Sequence, residues 1–229
     1  MTIISRRPRL LDLFSGAAGA AMGYHRAGFD IVGWDIEPHP DNPFELIVGD
    51  AMAALRDRDY LSTFDVVHAS PPCPLFSAIT PAHTRAQHPD MLTPTLDRLH
   101  AWGGTWVVEN VPGAPLPGAV TYCGKAMGLP HLRRHRLFAS SALLLSPGCA
   151  CDNGPAYGVH GDHGDLTPRQ HTDGHKRWGK ARDVAHAQQL LGIEWMTRWD
   201  DLADAIPPAY TEHIGRQLLD HLSIISRAP

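Results

Sequence analysis

The chain has 229 residues, of which 43% are hydrophobic and 19% charged, and its formal net charge is −4. This composition supplies enough apolar material for a packed core, and it excludes a disordered chain, a collagen-like chain and a polycation that coats nucleic acids. The length fits one domain with a modest insertion.

Short apolar runs alternate with helical stretches over the first half of the chain. The predicted elements, in chain order, are a strand at 9–14, a glycine-rich turn and helix at 15–27, strands at 31–34 and 45–48, a helix at 51–58, a strand at 64–69, a helix at 92–102 and a strand at 105–108. This alternation is typical of strand-helix-strand units. It predicts an α/β fold with a doubly wound, mostly parallel sheet.

The second half of the chain has a weaker pattern. It predicts a short helix at 125–129, apolar pieces at 137–138 and 142–145, a helix at 184–191 and a final helix that begins at two prolines. Residues 146–180 have almost no aliphatic periodicity. We therefore expect one catalytic domain made of 1–145 and 181–229, interrupted by a short Cys/His-rich insertion at 146–180.

No apolar run approaches the roughly 20 residues needed to cross a bilayer, and no small-residue cleavage site precedes the first strand. We expect a cytoplasmic protein that does not engage a membrane. The four cysteines are too few and too unevenly spaced for a disulfide framework. The sequence does not indicate an oligomeric state.

A glycine-rich turn, Phe14-x-Gly16-x-x-Gly19, follows the first strand directly. Such a turn lets the backbone approach a ligand closely at a helix N-terminus. Tight packing between the strand and the helix is the alternative explanation of these small residues.

Acidic residues end the next two strands. Asp35 follows the second strand about twenty residues after the turn, and Asp50 follows the third. A turn and two acids at neighbouring strand ends are typical of an adenosine-type cofactor site, with a carboxylate on the ribose hydroxyls. Glu37 is a rival for the ribose role, and each acid could instead cap a helix or face solvent.

Cys73 lies in the segment Ser-Pro-Pro-Cys-Pro after the fourth strand, at the edge where open α/β sheets bind ligands. Prolines hold the loop rigidly, which suits a nucleophile; a small buried side chain is the alternative. Glu109, in Glu-Asn-Val at the end of another apolar strand, should face the same edge as Cys73. Its carboxyl group could transfer a proton to or from a substrate there. A structural salt bridge is the alternative role.

Five segments, DLFSGAAGAAMG, SPPCPLFS, ENV, RRHRLF and AIPPAYTEHIG, occur in an order that resembles the DNA cytosine C5-methyltransferases. The resemblance covers most of 9–145 and 182–222, and small phage-type members are similar in length. It implies a Rossmann-like, S-adenosylmethionine-dependent methyltransferase fold.

The resemblance also implies residue roles. The residues that would hold S-adenosylmethionine are Phe14, Gly16, Gly19 and Pro71, with Asp35 on the ribose and Asp50 on the adenine amino group. Cys73 matches the nucleophile that adds to carbon 6 of cytosine, and Glu109 matches the residue that engages the ring nitrogen and amine. Arg134 and Arg136 resemble the pair that supports the pyrimidine oxygen and the pocket.

The activity that this implies is methylation of a flipped cytosine in double-stranded DNA, as in phage and restriction-modification enzymes. The segment at 146–180 is much shorter than the family's target-recognition region, so we expect a short or permissive target site or a partner that supplies specificity. RNA or a free nucleotide as substrate, and a non-catalytic DNA-binding relative, are the alternatives.

Two further features depart from the family. Asp204 stands in Ala-Asp-Ala-Ile-Pro-Pro, where relatives often have Gly-Asn-Ala-Val-Pro-Pro. In the insertion, Cys149, Cys151, His160 and His163 offer four zinc ligands in a segment too polar to fold unaided, although the histidines could simply be surface residues. No metal ligand is assigned to the reaction itself.

Overall fold

The computed structural model describes residues 6–152, 154–161 and 179–226. Seven strands form one sheet in the order β3-β2-β1-β4-β5-β7-β6. Strand β7 runs antiparallel to both of its neighbours, and the other pairs are parallel. The strands are β1 Arg9–Leu13, β2 Asp30–Asp35, β3 Glu45–Val48, β4 Val66–Ala69, β5 Trp106–Asn110, β6 Val120–Cys123 and β7 His135–Ser140.

Helices cover both faces of this sheet, as a doubly wound α/β fold requires. They are α1 Gly19–Ala27, α2 Ala51–Ala54, α3 Arg58–Leu61, α4 Ala82–Arg85, α5 Leu92–Trp102, α6 Val184–Leu191, α7 Trp199–Asp204 and α8 Pro208–Ile225, with a 3₁₀ turn at Lys125–Met127. The predicted fold class is confirmed.

The interior strand β1 contributes to the core on both faces of the sheet. Leu10 packs in the cluster that includes α1 and α8, whereas Leu11 packs in the cluster that includes α5. Both side chains are fully buried. Successive side chains of a strand point to opposite faces, so this run of leucines supplies both cores.

Helices α1 and α8 approach each other closely at Gly23. A Cβ at this position would lie 2.0 Å from Thr211 Oγ1 and 2.2 Å from the Pro208 carbonyl oxygen. The Thr211 hydroxyl donates a hydrogen bond to the Ala20 carbonyl (2.8 Å) across the same contact. Any larger side chain would push α8 away from the helix that follows the glycine-rich turn.

The prediction of a single helix at 51–58 is wrong in one respect, because the structure has two short helices, α2 and α3, in this region. Asp57 accepts a hydrogen bond from the Tyr60 N–H (2.9 Å) and so caps a new helix, α3, soon after α2 ends at Ala54. An aspartate that can cap competes with continuation of the helix before it. Strand β6 and helices α4 and α7 were not predicted.

The described part of the insertion packs against the domain. Tyr157 forms a β-bridge with Leu132, and Gly158 forms one with Lys180. Val159 is 2% exposed and belongs to a third hydrophobic cluster. Residues 162–178, among them His163, lie outside the described residues. Within the described ranges, no helix combines the length and the apolar character that crossing a membrane requires.

Candidate active site

The turn between β1 and α1 has an unusual backbone. Phe14, Gly16 and Ala18 all have positive φ values, of 58°, 52° and 71°. Residues with a Cβ adopt this region at a cost in free energy, and such strain is typical of functional turns. The turn brings the Gly16 N–H within 2.8 Å of Asp35 Oδ2, at the end of β2.

Asp35 organises the loops at this edge of the sheet. Its other oxygen accepts a hydrogen bond from the Glu37 N–H (3.1 Å) and lies 3.6 Å from His39 Nε2. His39 Nδ1 in turn lies 3.1 Å from Asp201 in α7. A carboxylate has about four acceptor positions, so Asp35 retains capacity for a ribose hydroxyl. Glu37 is exposed in the same turn, and both acids remain predictions for the ribose.

Gly19 and Asp50 have local structural roles. A Cβ at Gly19 would lie 2.6 Å from the Ile206 carbonyl oxygen, so glycine permits the contact between α1 and the segment before α8. Asp50 caps α2 by accepting a hydrogen bond from the Met52 N–H (2.8 Å), and its half-exposed side chain lies 3.4 Å from Arg56. The alternatives of packing and helix capping therefore describe these positions, while their cofactor roles stay predictions.

The loop that carries Cys73 is fastened to β5 by a buried amide. Asn110 Nδ2 donates to the Pro71 carbonyl (3.0 Å), and its Oδ1 accepts from the Val111 N–H (2.9 Å). The Cys73 carbonyl accepts from the N–H groups of Phe76 and Ser77, which closes a tight turn around the thiol. Sequence reasoning assigned Asn110 no role, although a polar amide at the end of an apolar strand was a usable signal.

Glu109 and Arg136 form a buried ion pair beside this loop. Arg136 Nε lies 2.8 Å from Glu109 Oε1, and the carboxyl group is 7% exposed. The N–H is not directed at the oxygen, so Oε1 accepts no hydrogen bond from the described residues. Burial raises the pKa of Glu109, and the cations of Arg136 and Arg134 oppose this rise.

Cys73 lies within the electric field of this pair. Burial raises the pKa of the Cys73 thiol, the Arg136 cation lowers it, and the Glu109 carboxylate raises it again. The loop after β4 therefore places Cys73 near Glu109 on β5 and Arg136 on β7. A thiol close to a carboxyl group and a guanidinium can perform nucleophilic addition with proton transfer.

Comparison of the fold with solved structures gives clear matches. A protein assigned as a DNA modification methyltransferase encoded within a prophage of E. coli aligns with a TM-score of 0.61 and 14% identity, over 94% of this chain and 99% of that one. The Entamoeba histolytica methyltransferase EhMeth gives 0.58 and 11%, over 95% and 99%. The S. pombe Dnmt2 methyltransferase gives 0.55 and 14%, over 97% and 100%.

The chain has the Rossmann-like α/β fold of these solved methyltransferases. At 11–14% identity this likeness concerns the fold. No family model and no curated protein matches the sequence.

Arg134 connects two separate segments of the chain through hydrogen bonds from its guanidinium group. Its Nη1 donates to the Val159 carbonyl (2.7 Å) and its Nη2 to the Ala203 carbonyl (2.6 Å), and the residue is 6% exposed. The Tyr210 hydroxyl donates to the Arg134 carbonyl (2.6 Å). Arg134 thus joins the insertion to the segment before α8, and the contact with a pyrimidine that the resemblance implies stays a prediction.

Two groups that sequence reasoning did not place in the site lie near the arginines. Asp204 is accessible to solvent, yet burial raises the pKa of its carboxyl group while the cations of Arg134 and Arg136 lower it. Asp204 reaches solvent but has protein on most of its sides, so it lies in the wall of a cleft. Burial lowers the pKa of His160, and the Lys180 and Arg134 cations lower it further.

A second cluster of side chains lies on the other side of the β6–β7 hairpin. The ligand atoms of Cys123, His135, Cys149 and Cys151 all lie within 4.8 Å of one another. His160 is not part of this cluster, because it faces the arginines, and His163 is outside the described residues. The expected zinc ligand set is thus corrected at His160, whereas the expectation for His163 stays a prediction.

Proposed function

We propose that this chain is a methyltransferase that transfers a methyl group from S-adenosylmethionine to carbon 5 of cytosine in DNA, with Cys73 as the nucleophile. The observation that carries the proposal is that the loop of Cys73 is hydrogen-bonded to Asn110, the neighbour of Glu109 on β5, while the Glu109 carboxyl group lies 2.8 Å from Arg136. The fold of the solved methyltransferases supports the same reading of the site.

The residues at the ends of β2 and β3 fit an adenosine. Ile36 and Val48 are 70% and 56% exposed, an unusual state for large aliphatic side chains at strand ends. They offer an apolar surface to the faces of a purine ring, and Asp50 beside them offers a half-exposed carboxylate to its amino group. S-adenosylmethionine, when bound, supplies an electrophilic methyl group on a sulfonium.

A nucleophilic cysteine would overcome the low reactivity of the cytosine ring. Carbon 5 of cytosine is too weakly nucleophilic to be methylated directly. Addition of the Cys73 thiolate to carbon 6 forms a carbon–sulfur bond and places electron density on carbon 5, which then takes the methyl group. Loss of the proton from carbon 5 to a base and departure of the thiolate restore the ring.

Glu109 would control the protonation of the ring nitrogen during this addition. Burial raises the pKa of its carboxyl group, which favours the protonated form that can donate to nitrogen 3. Its Oε1 lies beside Arg136 but accepts no hydrogen bond from the described residues, so its hydrogen-bonding capacity is not used within the described structure. Arg136 would hold the carboxyl group in position and offset the charge on the pyrimidine oxygen.

Double-stranded DNA as substrate requires that the cytosine leave the helix, because a stacked base cannot reach the thiol. The shortness of the insertion supports a short or permissive target site. RNA and free nucleotides remain the competing substrates, since the same chemistry applies to them.

The test is transfer of an isotope-labelled methyl group to three substrates in parallel: duplex DNA, tRNA and dCMP. We expect label in 5-methylcytosine of duplex DNA, and none with Cys73→Ala. Label in tRNA or dCMP alone would reject the DNA assignment. No label on any substrate, from a folded protein that binds S-adenosylmethionine, would reject the enzyme.

A further inference from the structure

The cluster of Cys123, His135, Cys149 and Cys151 has the dimensions of a metal site. Cys123 Sγ lies 3.6 Å from Cys151 Sγ. His135 Nε2 lies 3.4 Å from Cys149 Sγ and 3.5 Å from Cys151 Sγ. A sulfur–sulfur distance of 3.6 Å is far longer than a disulfide bond of about 2 Å, so these thiols approach without bonding.

These separations match tetrahedral zinc. Zinc bonds of about 2.3 Å to sulfur and about 2.0–2.1 Å to nitrogen, at tetrahedral angles, place two sulfurs about 3.8 Å apart and a sulfur and a nitrogen about 3.6 Å apart. We propose that Cys123, His135, Cys149 and Cys151 bind one Zn²⁺ as a structural Cys₃His site. Four protein ligands leave no open position, which distinguishes such a site from a catalytic one.

The fold explains how distant residues meet there. Cys123 is the last residue of β6 and His135 is the first of β7, and the two are register partners in the antiparallel pair. Cys149 and Cys151 come from the segment that opens the insertion. Side chains alternate along a strand, so His135 points away from the face that carries Arg136 and its ion pair with Glu109.

The segment that carries Cys149 and Cys151 has little other support. Both residues are exposed, as are most of their neighbours. Segments too polar to bury a core are commonly folded by a structural metal. The Cys151 N–H donates to Cys149 Sγ (3.4 Å), a contact that suits a thiolate ligand.

An ion pair also joins the two segments that carry the cluster. Three thiolates, one neutral imidazole and Zn²⁺ sum to a net charge of −1. Lys125, two residues after Cys123, pairs with Asp152, directly after Cys151, so a cation already joins the two segments beside the cluster. The zinc would thereby fasten the insertion to the β6–β7 hairpin on the far side of the catalytic arginines.

The first test is metal content. Protein purified without chelator should contain about one zinc per chain. Cys123→Ser, Cys149→Ser and Cys151→Ser should each lose most of it, whereas Cys73→Ser, the matched control outside the cluster, should keep it. Zinc that is absent from the reduced, folded parent and is not taken up on addition would overturn the proposal, as would equal zinc loss in Cys73→Ser.

A second test needs no variant and so does not depend on the folding of mutants. In the parent protein, alkylation resolved by residue should spare Cys149 and Cys151 despite their exposure, until a strong chelator is added. The alkylation rate of Cys73 should be the same with and without chelator. Alkylation of both exposed thiols before chelation, or a disulfide between Cys123 and Cys151 in non-reduced protein, would contradict a zinc site. Neither test depends on the proposed methyl transfer.

Discussion

Arg136 Nε lies 2.8 Å from Glu109 Oε1, so the antiparallel strand β7 supplies a cation to a buried carboxyl group. Because the same cation acts on the Cys73 thiol, this contact links the proposed proton donor, Glu109, to the proposed nucleophile, Cys73.

Glu109→Gln tests the role of the carboxyl group. Glutamine keeps the size and a hydrogen-bonding amide but cannot transfer a proton, so we expect methyl transfer to fall by roughly 10²–10⁴-fold. The affinity for DNA and for S-adenosylmethionine should change little. Single-turnover methylation and equilibrium binding measure the two effects. An unchanged transfer rate would remove Glu109 from the chemistry.

Arg136→Gln tests the electrostatic link to Cys73. The arginine lowers the pKa of the thiol more strongly than Glu109 raises it, so its loss should shift alkylation of Cys73 to higher pH. Arg136→Lys, which keeps the charge, should restore much of the parental profile. The measurement is the rate of alkylation against pH, resolved by residue. A midpoint that stays in place or moves to lower pH would contradict the link.

Asn110→Ala tests how the nucleophile loop is held. The variant removes the hydrogen bond to the Pro71 carbonyl inside a fully buried site, so we expect a loss of about 1–3 kcal/mol in the free energy of unfolding. A displaced thiol should lower the rate of transfer by up to about 100-fold, with binding of S-adenosylmethionine retained. Loss of cofactor binding with a normal transfer rate at saturation would place Asn110 in the wrong site.

The strand ends of the candidate site could be predicted from sequence because parallel strands buried on both faces are continuous apolar runs. The residues that follow them, Asp35, Cys73 and Glu109, therefore stood out. The hydrogen bond from Asn110 to the Pro71 carbonyl could not be predicted, since only the fold shows that this carbonyl needs a donor. Strand β6 was not predicted because its four residues, Val-Thr-Tyr-Cys, have no distinctive hydrophobic periodicity in a region rich in glycine and proline.

The Cys/His cluster likewise contains residues that could be found from the sequence and residues that only the fold reveals. Cys149 and Cys151 were found from their spacing, and His160 and His163 were chosen because they are near in sequence. The other two members of the cluster, Cys123 and His135, meet through antiparallel pairing of β6 and β7. A register of this kind is not visible in a single sequence when one of the two strands is itself unpredicted.

Asp12, beneath the glycine-rich turn, gives a prediction about stability. Its carboxyl group is fully buried, accepts a hydrogen bond from the Ser15 hydroxyl and lies 3.9 Å from His68 Nε2. Burial raises the pKa of Asp12 from 3.8 to about 7, and burial lowers that of His68 to about 3, so the histidine is neutral.

The native state therefore keeps the Asp12 proton up to about pH 7, whereas the unfolded chain loses it near pH 4. The contribution of Asp12 to stability must fall as pH rises through this window, and Asp12→Asn lacks that contribution. The lowered pKa of His68 acts in the opposite direction in both proteins, so the comparison between parent and variant isolates Asp12. Relative to the variant, we expect the parent to lose roughly 3–4 kcal/mol between about pH 4 and about pH 7. Denaturant unfolding of both proteins across this range measures it, with the exposed Asp220→Asn as control. Parallel curves for parent and Asp12→Asn would show that Asp12 is ionised throughout.

The covalent step is the central claim, and trapping tests it most directly. Duplex DNA containing 5-fluorocytosine should, with S-adenosylmethionine present, form a complex with the protein that survives denaturation, because fluorine at carbon 5 cannot leave as a proton would. Peptide mapping should place the DNA on Cys73, and Cys73→Ser should form no such complex. A parent protein that methylates ordinary DNA but is never trapped, or an adduct that persists in Cys73→Ser, would contradict this account.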